Sequence, residues 1–172
     1  AHGASRLGVI FAGGPRERTP AEAREIVSAA SGVPVIGVFG VQSVEAILAV
    51  VAAAGLSGVQ LHGPSSGEVA RRLRDEVLEV WRVVRVPVAD TGASGSVTDH
   101  ADLVLLEPRV AGEGVAAGGR GVAIDLRAAR EARVALPSGV RAGLAGGLTP
   151  ETLAEAIRVV GPDLVDVSSG VE

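Results

Sequence analysis

The sequence predicts an α/β fold, a (βα)8 barrel of parallel strands seen as seven of its eight strands. Three observations predict it. Seven short runs rich in Val, Leu and Ile punctuate the chain. Ala/Glu/Arg-rich segments of helical spacing separate most of them. No linker or shift in composition divides the 172 residues, so 1–172 reads as a single, incomplete barrel domain.

The strands come first. "RLGVIF" (6–11), "VPVIGVF" (33–39), "SGVQL" (57–61), "EVWRVVRV" (79–86), "DLVLLE" (102–107), "GVRAGLAG" (139–146) and "DLVDVS" (163–168) are nearly continuous apolar stretches. Strands buried on both faces read this way, whereas strands with one wet face alternate. Helices are predicted at Pro20–Ala30, Ser43–Ala54, Ser66–Asp75, Asp125–Val134 and Thr149–Val160. Thr19-Pro20, Ser43 and Thr149-Pro150 supply start signals, a capping residue before a proline or an acid. Thr149 and Thr152 do not make a capping box, so Pro150-Glu151 carries that first turn. "PVADTGASGSVTDHA" (87–101) lacks helical periodicity and is predicted to be a loop with a short turn. "PRVAGEGVAAGGRGVAI" (108–124) is long and Gly-rich, as functional or mobile loops are.

Repeated strand–helix–strand units give a parallel sheet with right-handed crossovers. A doubly wound open sheet would carry a dinucleotide fingerprint after its first strand. Here "GGPRERTP" follows "LGVIFA", which is not G-x-G-x-x-G. Eight barrel units need over ~200 residues. A TIM barrel short of one strand–helix pair, ending before its last helix, is therefore expected. Its two open edges would pair with something or aggregate.

Composition narrows the chemistry. Apolar residues make up 47% and aromatics 2%, so Val, Leu, Ile and Ala must build the core, with Trp81 a core or helix-packing residue rather than a ligand-stacking one. The absence of Cys excludes disulfides and thiolate metal sites. The absence of Lys excludes Schiff-base catalysis and a P-loop. A net charge of −4 with scattered Arg argues against nucleic acid. His2, His62 and His100 show no ligand spacing, so no metal is expected. No run approaches the ~18 apolar residues of a membrane span, and no signal peptide opens the chain. A cytoplasmic protein is expected. There is no Met, even at position 1, which points to a processed, trimmed or omitted N-terminus.

In such a barrel the site lies at the C-terminal ends of the strands, and the last two loops often hold phosphate. Those loops are "AGGLTP", with Gly146 and Gly147, and "VSSGVE", with Ser168, Ser169 and Gly170. Either alone is an ordinary turn; their placement after two consecutive strands makes them a candidate phosphate site. Glu107 closes "DLVLLE", and Asp166 is flanked by Val. Partial desolvation would raise either carboxyl and suit general acid work. His62 ends "VQLHG" as a rim residue or a ligand contact. Arg16 follows the first strand, where it is a solvated loop charge or a carboxylate partner.

"VQLHG", "LAGGLTPETLAEAI" and "VDVSSGVE", in this order and at these separations, resemble phosphoribosylanthranilate isomerase of tryptophan biosynthesis. "LGVIFA…PRERTPAEAREI" is similar to that family's second strand, loop and helix, and "GGRGVAIDL" to its sixth loop entering helix six. The resemblance covers essentially the whole chain. It implies an Amadori rearrangement of N-(5-phosphoribosyl)anthranilate without metal or cofactor. A general acid protonates the ribose ring oxygen, and a general base then takes the C2 proton. By position, the family's Asp acid falls on Glu107, one methylene longer, with Asp125 at the start of a helix as fallback. Arg16, His62 and Asp166 match substrate-contacting positions. Gly146, Gly147, Ser168, Ser169 and Gly170 match the phosphate site.

The family's base is a Cys in its first strand. The chain has no Cys and begins at a point matching the end of helix one. Strand one, the base and the last helix are therefore expected to be absent from the sequence. The ends could belong to a longer protein, the chain could be a fragment, or it could be a decayed homologue. Little isomerase activity is expected of the 172 residues alone. Alternatives are a non-catalytic barrel binding phosphate ligands or a partner chain, and another phosphosugar isomerase. A small-molecule substrate is expected, and a homodimer.

Overall fold

In the computed structural model, which describes residues 3–63, 67–76, 78–87, 98–109 and 122–171, seven parallel strands form one sheet in chain order. They are β1 (Leu7–Ile10), β2 (Val35–Phe39), β3 (Gly58–Leu61), β4 (Glu79–Val86), β5 (Leu103–Pro108), β6 (Arg141–Leu144) and β7 (Leu164–Val165). The helices are α1 (Pro20–Ala29), α2 (Val44–Ala54), α3 (Gly67–Asp75), α4 (Leu126–Val134) and α5 (Pro150–Val160). A short 3-10 turn, Ser169–Val171, follows β7. β1 and β7 are the outer strands of the ribbon. Most of each predicted loop, at 88–97 and 110–121, lies outside the described residues, as does Ser66.

Helix starts follow their local chemistry. Thr19 caps α1 in a full capping box: Glu22 N–H donates to Thr19 Oγ1 at 3.3 Å, and Thr19 N–H donates to Glu22 Oε2 at 2.7 Å. One expectation is corrected at α5. Thr149 N–H donates to Thr152 Oγ1 at 3.0 Å, so a hydroxyl fills the place usually taken by Glu or Gln.

Strand periodicity sorts the side chains into two layers. One face meets the helices. There Val9, Phe11, Val35, Phe39, Val59 and Val80 pack with Ala23, Ile47 and Leu73. Val104, Leu106 and Leu144 pack with Ala129, Ala156 and Val160. The other face curls inward and holds Ile36, Trp81, Leu103, Leu105 and Ala145, with Val83 and Leu164 against them. Trp81, 4% exposed, is a core residue as expected.

The strand starts are joined by charge. Arg6 Nε lies 3.2 Å from Glu79 Oε2, and Arg141 Nη2 lies 2.6 Å from Glu79 Oε1. Arg6 precedes β1, Glu79 opens β4 and Arg141 opens β6, so one carboxylate links three strands that are not sheet neighbours. Burial alone would raise the Glu79 carboxyl. Its hydrogen-bond donors, Arg141 and Arg6 among them, outweigh that and hold it below 4.5.

Candidate active site

The inward face that packs Leu103 and Leu105 continues to Glu107, two residues on. The same alternation carries Trp81 and Val83 to Arg85 on β4, Gln60 to His62 beyond β3, and Leu164 to Asp166 beyond β7. Each polar group therefore caps an apolar interior at the C-terminal strand ends, where a barrel keeps its chemistry. β4 and β5 pair with Arg85 directly opposite Glu107.

His62 and Glu107 form the centre. His62 Nε2 lies 3.1 Å from Glu107 Oε1 and 3.0 Å from Oε2. Their side chains are 5% and 12% exposed, so the pair is shielded from water. Asp166 faces the same space. Burial, then the charge of Glu107, push its carboxyl above 3.8; His62 when its ring is protonated, and Arg16, only partly oppose this. Arg16, from the loop after β1, donates through Nη1 to Ser168 Oγ, beyond β7. The first and last loops of the ribbon thus meet across the mouth.

The two proposed phosphate loops also touch. Gly146 and Gly147 have φ of 103° and 61°, a backbone region that favours glycine. A Cβ on Gly146 would collide with the Pro108 ring, and one on Gly147 would come 2.8 Å from Ala123 Cα. Glycine is needed here for packing onto the end of β5 and the 122–123 backbone. A Cβ on Gly170 would strike the Leu148 carbonyl, which places the Ser168–Gly170 turn directly on the Gly147–Leu148 turn. Ser168 and Ser169 are exposed.

Asp125 has different work. It is the N-cap of α4, where its Oδ1 accepts from Arg127 N–H at 2.9 Å and Ala128 N–H at 3.1 Å. The structure therefore brings His62, Glu107, Asp166, Arg16 and Ser168 around one mouth and gives Asp125 a helix to cap. Arg85 was missed by sequence reading. Its signal was the two-residue period of "WRVVR", which sets Arg85 on the face of Trp81. Among the described residues, no group of three or more His, Cys, Asp or Glu could hold a metal ion.

A family model for N-(5'-phosphoribosyl)anthranilate isomerase matches residues 1–172. The chain belongs to the phosphoribosylanthranilate isomerase family. The N-(5'-phosphoribosyl)anthranilate isomerase of Trichlorobacter lovleyi is 36% identical over 99% of this chain and 79% of its own length. Among solved structures, the phosphoribosyl anthranilate isomerase of Thermotoga maritima is 30% identical with a TM-score of 0.81, covering 99% of this chain and 80% of that one. The Thermotoga maritima protein is described as dimeric. Another phosphoribosyl anthranilate isomerase structure, 29% identical with a TM-score of 0.77 over 99% of this chain and 78% of that one, holds reduced 1-(o-carboxyphenylamino)-1-deoxyribulose 5-phosphate. The seven strands are those of this family's TIM barrel.

Proposed function

We propose that this single barrel domain binds N-(5'-phosphoribosyl)anthranilate and serves its Amadori rearrangement to 1-(2-carboxyphenylamino)-1-deoxyribulose 5-phosphate. The observation that carries the reading is the shielded His62–Glu107 pair at the mouth, beside Asp166 and the Arg16–Ser168 bridge.

Glu107 is the general acid. Its carboxyl delivers a proton to the ribose ring oxygen, and the C1–O bond opens. The carboxylate left behind accepts from His62, which makes the delivery easier. The backbone of the Gly146–Gly147 and Ser168–Gly170 turns receives the phosphate. The Arg16 guanidinium meets the anthranilate carboxylate, and Asp166 faces the amino nitrogen. Proton removal from C2 then needs a base. The family resemblance gives that role to a Cys, and the 172 residues contain none.

Titration with the reduced product analogue tests the site without requiring turnover. Saturable binding that inorganic phosphate weakens supports the reading; no binding overturns it. Among the described residues no helix is long and apolar enough to cross a membrane, and a cytoplasmic location fits a biosynthetic role of this kind. The dimeric Thermotoga maritima relative supports a homodimer, which sedimentation would test.

A further inference from the structure

Arg85 has no part in the chemistry above, yet it stands in the mouth. We infer that Arg85 is a positioning residue that fixes the tautomer of His62, and so aims the imidazole N–H at Glu107. The inference rests on Glu107 as the acid for its consequence, but not for its geometry.

Arg85 Nη2 lies 3.5 Å from His62 Nδ1. A guanidinium has five N–H donors and accepts nothing. A proton on Nδ1 would therefore point at another donor, in a pocket where His62 is 5% exposed. The lone pair on Nδ1 suits the guanidinium instead, even at a separation near the limit of a hydrogen bond. The single ring proton of a neutral imidazole then sits on Nε2. That nitrogen is the one 3.0–3.1 Å from the two Glu107 oxygens.

The strand register makes the arrangement possible. Arg85 and Glu107 are direct partners across β4 and β5. His62 lies one residue past β3, the neighbour of β4 on its other side. The imidazole thus bridges from the cation on one strand to the carboxyl on the next. Among the described residues, the charged groups facing this space include Arg85, Glu107, Asp166 and Arg16, with the charge of Arg16 reaching Asp166. With the opposite tautomer, a bare Nε2 would face a carboxylate, and the charge left on Glu107 by proton transfer would meet a lone pair instead of the His62 N–H.

Nitrogen-15 NMR of histidine-labelled protein reads this directly, with His62 assigned from a His62→Gln variant. The wild-type protein should show Nδ1 unprotonated and Nε2 protonated, with a preference of about tenfold or more, the scale of one pKa unit of charge interaction. Arg85→Leu should lose that preference and give a mixture, and Arg85→Lys should restore most of it. A predominant Nδ1–H tautomer in the wild type overturns the inference, and so does an unchanged spectrum in a folded Arg85→Leu. The wild-type spectrum alone can decide the matter if the Leu variant does not fold. Because no turnover is read, a failed isomerase assay would bear on the proposed reaction and not on Arg85.

Discussion

Glu107 and Asp166 come from strands separated by β6, yet the charge of Glu107 reaches Asp166, and together with burial it holds Asp166 above its ordinary value. An ionised Glu107 therefore disfavours the ionisation of Asp166 in the same mouth. Replacing Glu107 with Gln removes one of the two causes. The Asp166 carboxyl should then titrate at lower pH, which carbon-13 NMR of labelled aspartate would follow. An unmoved Asp166 would mean that the two groups do not share the mouth.

The same raised value bears on stability. A carboxyl that is harder to ionise when folded costs stability as pH rises above its unfolded value. Asp166→Asn should therefore raise Tm at pH 7 and leave it nearly unchanged at pH 3, where both states hold the proton. A gain of about 1 kcal/mol would appear as roughly 2–4 °C in a chain of this size. Thermal unfolding at the two pH values decides it.

Glu79 works in the opposite sense. Its folded value is lowered, so it stabilises at neutral pH and loses that contribution as pH falls below 4.5. Glu79→Gln should destabilise by about 1–2 kcal/mol at pH 7, because Arg6 and Arg141 lose a charged acceptor in a partly buried place. The deficit should shrink toward pH 3. Urea unfolding of both proteins at both pH values measures it.

Arg16 should matter to binding more than to folding. Arg16→Ala removes both the bond to Ser168 and the cation at the mouth. Affinity for the reduced product analogue should fall about 10–100-fold, the range of a charge-assisted hydrogen bond. Calorimetric titration gives the number, and equal affinity would remove Arg16 from the site.

Turnover is predicted to be low in the 172-residue chain, which holds no thiol. Fluorescence loss of the substrate measures it, and clear turnover would assign the base to a residue other than Cys within these 172. In any form that does turn over, Glu107→Gln should lower kcat by about 10²–10⁴-fold. Unchanged kcat would move the acid to Asp125, against its capping of α4.

The ribbon was legible because its strands are buried on both faces. All seven apolar runs became strands, and the five helical segments became helices within a residue or so. The end of the chain read less well. "DLVDVS" contains a two-residue strand, Leu164–Val165, after which the Asp166 N–H makes one more bond to β6, at the Leu144 carbonyl. Residue types with a fixed meaning at a strand end, such as Glu107 and His62, stood out. Arg85 did not, because "EVWRVVRV" reads as apolar and its two Arg face opposite ways. Arg82 turns to the helix side, 3% exposed, and bonds the Asp99 carbonyl, while Arg85 turns inward. A one-dimensional run hides which face each residue takes, and the bond from Arg16 to Ser168, 152 positions apart, has no local signature at all.

Among the described residues, each strand pairs only with the strands next to it in chain order. The ladders therefore close short loops, and the sheet can grow by one strand–helix unit at a time without a large entropic penalty. The mouth obeys another clock. It needs Arg16 from the first unit and Asp166 and Ser168 from the last, so it exists only once the ribbon has curled fully round. During refolding, helical signal should return first and ligand affinity last, with an interval between them in which the protein is largely structured and has no site.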